Sequence, residues 1–77
     1  SGVIDRLVLR RDTQGRLQKA VVVDFKTDQV ADIITLRDRY AEQLTIYRRA
    51  VASALGLGAD QVELVLLSTC LGALSRW

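Results

Sequence analysis

Val21-Val22-Val23-Asp24-Phe25-Lys26-Thr27-Asp28 is the stretch that most limits how this chain can fold. Three β-branched residues in succession argue for a buried strand. The two-residue period of a strand then gives Asp24 and Lys26 one face and turns Phe25 to the other. An apolar strand thus ends in a carboxylate and an amine side by side. Burying either charge alone is expensive, so the pair must lie at the solvated end of the strand, hold a metal ion, or satisfy each other.

The flanking sequence supplies partners for that strand. Val3 to Arg10 reads as an earlier strand, with Val3, Asp5, Leu7 and Leu9 on one face and Ile4, Arg6, Val8 and Arg10 on the other. Arg11 to Arg16 holds turn formers, with Gly15 placed for a positive φ, and Leu17 to Lys26 returns as the second arm of an antiparallel hairpin. Register decides whether Asp5 meets Asp24. If paired residue numbers sum to 27 or 29, the two acids share a face; if they sum to 28, they point apart. Neighbours across one face lie roughly 4.5 to 8 Å apart at Cβ, a spacing that suits two carboxylates sharing one cation.

Thr27 to Ile34 reads as a connection passing the strand end. Thr35 with Asp38 resembles a capping box, which starts a helix near Leu36, and Gly56 and Gly58 stop it. Leu36, Tyr40, Leu44, Tyr47, Val51 and Ala54 form one apolar stripe to pack on the sheet, and Arg37, Arg39, Arg48 and Arg49 fall on solvated faces. Gln43 and Tyr47, four apart, share one side of this helix, with Tyr40 a turn earlier. Val62 to Leu67 is apolar enough for a central third strand, and Gly72 permits a turn into a short final one. The expectation is an α/β fold: a β-hairpin, one long helix and a following strand in a mixed sheet.

Composition narrows the chemistry. Seventy-seven residues make one domain near the lower size limit for an independent core, which suggests an excerpt of a larger domain. The net charge of +2 is too mild to specify a nucleic-acid partner. The chain has no histidine and one cysteine, Cys70, which excludes an intrachain disulfide, a catalytic triad and histidine- or cysteine-ligated zinc within it. No apolar run reaches membrane-spanning length, so a soluble domain without a membrane partner is expected, and the single cysteine makes a cytoplasmic setting the default; the lack of a phosphate-cradling glycine loop argues against a nucleotide phosphohydrolase.

Taken singly, the polar residues have plain readings. Asp24 and Lys26 could be a strand-end ion pair worth under about 1 kcal/mol if exposed. Asp5 could pair with Arg6 or Lys19, Tyr40 and Tyr47 could be core residues, and Gln43 could satisfy a backbone group. Thr27 and Asp28 divide evenly between turn formation and support of a site.

Taken together, Gly2-Val3-Ile4-Asp5-Arg6, then Val23-Asp24-Phe25-Lys26-Thr27-Asp28, then Tyr40, Gln43-Leu44 and Tyr47 resemble the PD-(D/E)xK nuclease superfamily. The likeness is to the RecB-like nuclease domain of AddA and RecB type helicase–nucleases. It implies a restriction-endonuclease-like core over residues 1–77, partial because the family's upstream helix and its histidine are absent. It also implies Asp5, Asp24 and Lys26 as catalytic residues. The two acids and the main-chain carbonyl of Phe25 would ligate Mg²⁺, or Mn²⁺, and Lys26 would act on the attacking water. Gln43 and Tyr47 match the family's Q-x-x-x-Y motif, and with Tyr40 they would support the site or approach DNA. The implied activity is a metal-dependent DNA exonuclease in double-strand break repair and recombination. Its partners would be DNA, the helicase portion of the same parent chain and a partner subunit. The alternative is a non-catalytic module of the same fold that binds DNA or docks a helicase.

Overall fold

The computed structural model describes residues 6–77 as a four-stranded mixed sheet covered on one face by a single helix. In chain order the elements are β1 (Arg6–Arg11), β2 (Leu17–Lys26), α1 (Ile33–Leu55), a single 3₁₀ turn (Ala59–Gln61), β3 (Val62–Ser68) and β4 (Ala73–Arg76). The strands lie side by side in that same order. β1 and β2 are antiparallel, as are β3 and β4, whereas β2 and β3 run parallel. A parallel pair cannot be closed by a tight turn, so the chain between them must cross over the sheet, and α1 is that crossover.

The hairpin forms for local reasons. Asp12 caps its own turn, its Oδ1 accepting from the Gln14 and Arg16 amides at 2.8 and 2.9 Å. Gly15 takes a φ of 80°, where a Cβ would be strained. From Arg6↔Val23 to Arg10↔Lys19 the paired numbers sum to 29, and the register shifts at a bulge between Arg10 and Arg11. That sum is one of the two that the Asp5 and Asp24 expectation requires. Asp5 itself, like Val3 and Ile4, lies outside the described residues.

Alternation along β2 and β3 builds the core. Ala20, Val22 and Asp24 share one face with Val62, Leu64, Leu66 and Ser68, and all seven are buried. Leu36, Leu44, Val51 and Ala52 of α1 close over this face, flanked by Tyr40, Tyr47 and Leu55. The valine run is therefore buried on one face only: Val21 and Val23 are half-buried on the other. That second face carries Val8, Phe25 and Leu74, which are 44, 41 and 47% exposed. β1 is exposed along its whole length.

The helix departs from expectation at both ends of its pattern. It starts at Ile33, with Asp32 as N-cap: the Asp32 side chain accepts from the Thr35 amide at 2.8 Å, so Thr35 supplies the amide to that cap. Ala54 is exposed, and Ala52 and Leu55 take the places expected of it, because the stripe drifts around a helix 23 residues long. The C-terminus is as expected, with Gly56 left-handed at φ 68° and its amide returned to the last turn. Gly72, at φ 64°, turns the chain into β4, and Leu64 and Trp77 then exchange backbone hydrogen bonds of 2.9 and 3.0 Å. Among the described residues no helix is long and apolar enough to cross a membrane.

Candidate functional site

The parallel pairing of β2 with β3 ends at Lys26↔Ser68, and this end of the sheet brings Asp24, Lys26, Asp28 and Tyr40 together. Asp24 faces α1 and is 2% exposed. A carboxylate so placed must be compensated by charge or hydrogen bonds. Lys26, next on the same face, brings its ammonium to 3.4 Å from Asp24 Oδ2, and its side chain is only 17% exposed. Phe25 points to the opposite face, as the alternation demands.

The helix contributes a roof. Tyr40, two turns into α1, lies with its ring face under the Lys26 ammonium, 4.0 Å from ammonium to ring centroid. Its hydroxyl donates to Asp28 Oδ2 at 2.8 Å, and Arg39 Nη1 donates to the same oxygen at 2.8 Å. These two bonds, Tyr40 first, hold the Asp28 carboxyl below its ordinary pKa, and the same bond raises the Tyr40 hydroxyl above its own. Gln43 follows one turn after Tyr40, with its amide oxygen buried, and Tyr47 packs against the core cluster. The β3–β4 turn closes the far side, where Thr69 donates its amide to the Lys26 carbonyl at 3.0 Å.

Arg39 keeps the solvated side chain expected of it, 50% exposed, while Arg37 and Arg48 differ from expectation. Arg39 pairs with Asp28, Arg37 stacks on Trp77 at 4.4 Å, and Arg48 donates to the carbonyls of Val62 and Trp77. Each reaches past the edge of the apolar stripe, which a long stem permits even where Cα sits on a polar face. Lys19 is engaged by Glu63 at 3.2 Å. Asp28 is the functional candidate that local pattern left ambiguous. Its partners lie 11 and 12 residues on, across a turn and into the helix, where no short spacing signals them.

The donors here suit a hard divalent cation rather than a soft one. Asp24 and the adjacent main-chain carbonyls offer oxygen, and no histidine is present in the chain. The Lys26 ammonium lies 3.4 Å from Asp24 Oδ2, longer than a full charge-assisted hydrogen bond of about 2.8 Å. Among the described residues no three acids or thiols lie together; Asp5, the other expected acid, is outside them. A cavity of about 440 Å³ lined by Lys19, Arg48, Asp60, Glu63 and Trp77 lies near the opposite end of β3 and does not reach this cluster. Comparison with protein families, with curated proteins and with solved structures finds no match to the chain.

Proposed function

We propose that the protein is a metal-dependent deoxyribonuclease with a RecB-like, restriction-endonuclease-like core. Its role would be the exonuclease module of a cytoplasmic helicase–nuclease acting in double-strand break repair and recombination. The observation that carries this reading is the buried Asp24 carboxylate with the Lys26 ammonium 3.4 Å away, at a strand end roofed by Tyr40. An ion pair serving stability alone would be better placed in water, because burying two charges consumes most of what their attraction returns. The 29-sum register of β1 on β2 further supports Asp5 as the second acid.

In this reading Asp24, Asp5 and the Phe25 carbonyl would hold Mg²⁺ or Mn²⁺. The ion would supply Lewis acidity toward the phosphate and acidify the attacking water. Lys26 would donate to that water or to the phosphate oxygen as negative charge develops there. Water adds to phosphorus, the bond to the leaving oxygen breaks, and a proton passes to that oxygen. Gln43 and Tyr47 would support the site or approach the DNA strand.

The alternative, a non-catalytic module that binds DNA or docks a helicase, draws support from the open apolar face of the sheet. Cleavage of linear DNA with Mg²⁺ or Mn²⁺ separates the two. Asp24→Ala and Lys26→Ala are each expected to lower the rate about 100-fold or more. Variants that cut as fast as the parent would refute the assigned roles. A parent that retains DNA binding but never cuts would favour the alternative.

A further inference from the structure

A lysine ammonium rides on a flexible four-carbon stem, so a task that needs it at one point requires something to hold it there. At Lys26 two groups do so: the Asp24 carboxylate at 3.4 Å and the face of the Tyr40 ring at 4.0 Å. The ring is fixed in turn. It packs against the core cluster, and its hydroxyl is tied to Asp28 at 2.8 Å, with Arg39 on the same carboxylate oxygen. The Tyr40 proton is therefore committed to an anion and is not available to a DNA phosphate, for which Asp28 would be a poor neighbour.

We propose that Tyr40 is a positioning residue for Lys26: its ring face holds the ammonium beside Asp24, and the hydrogen bond to Asp28 locks the ring in that place. The ring is what matters to the lysine, and the hydroxyl matters only through the ring. This inference rests on the nuclease reading for its consequence but not for its geometry.

Two variants separate ring from hydroxyl: Tyr40→Phe keeps the aromatic face, and Tyr40→Leu removes it while keeping an apolar side chain. In Mg²⁺-dependent cleavage of linear DNA, Tyr40→Phe is expected within about 3-fold of the parent kcat. Tyr40→Leu is expected to lose about 10-fold in kcat with KM nearly unchanged. In a Lys26→Ala background, Tyr40→Leu is expected to have no further effect. Equal losses in the Phe and Leu variants, or an undiminished loss without Lys26, would overturn the proposal.

A second readout does not depend on activity. A ring over the ammonium shifts the proton resonances of the Lys26 terminal methylene upfield. NMR of the protein is expected to show that shift in the parent and in Tyr40→Phe, and to show its loss in Tyr40→Leu. Its absence from the parent refutes the positioning of Lys26 by Tyr40, whatever the protein cuts. The shift with no DNA cleavage supports the contact and refutes the nuclease reading.

Discussion

Asp28 shows how a residue of the connection is drawn into the site. Its carboxyl is held low by the Tyr40 hydroxyl and by Arg39, and Tyr40 is held high by the same bond. The two shifts bound a pH window. The stabilisation from Asp28 is full above its ordinary value of 3.8 and is lost as pH falls through the lowered folded-state value. That from Tyr40 is full below 10.0 and is lost as pH rises through the raised one. Urea denaturation of the parent against Tyr40→Phe should therefore give a stability difference that is constant near neutrality. The difference should shrink below the first limit and again above the second. A difference unchanged into strong acid would show that the Asp28 bond contributes nothing. None of this was legible at Asp28 in the sequence, because its partners are brought to it by the way α1 docks on the sheet. Asp24 and Lys26 were legible, since a strand fixes side-chain alternation without help from any distant contact.

α1 is defined by its ends as much as by its stripe. Asp32 accepts from Thr35, and Gly56 ends the helix left-handed with nothing within 4 Å of an added Cβ. Asp32→Ala should lower the thermal midpoint by about 3 to 6 °C. Gly56→Ala should cost about 1 kcal/mol through backbone strain alone, since no atom would be displaced. Thermal and urea unfolding followed by circular dichroism would check both; an unchanged Asp32→Ala would mean that its bond to Thr35 is broken in solution. The C-terminal stop was readable because only glycine suits a positive φ there. The start was not: Asp32 and Thr35 are both good capping residues three apart, and packing of Ile33 against the core adds an extra turn to the helix. The strands β2 and β3 were readable from their β-branched and aliphatic runs. The 3₁₀ turn, three residues long, is too short to leave a pattern.

At the scale of the molecule, one helix among the described residues serves a sheet with two faces. α1 covers the face formed by β2, β3 and β4, leaving β1 uncovered and the reverse face, with Val8, Phe25 and Leu74, open. A hydrophobic dye such as ANS should bind the native protein, and Val8→Thr with Leu74→Thr should reduce that fluorescence with about 0.5 kcal/mol or less of change in stability. Unaltered fluorescence would place the dye elsewhere. The central place of β3 in a mixed sheet was legible in the sequence from its apolar run after the helix. The sheet's uncovered side was not, because an apolar residue reads the same whether or not something rests on it.

Among the described residues β1 is a flank held by a single neighbour. Half of its backbone amides face outward, and no side chain on either side of it is buried. In deuterated solvent those amides would be the first in the sheet to trade protons, while β2 and β3 keep theirs until the whole domain opens. Whatever the strand end at Asp24 and Lys26 does, it is approached on one side by the part of the sheet that is quickest to peel away.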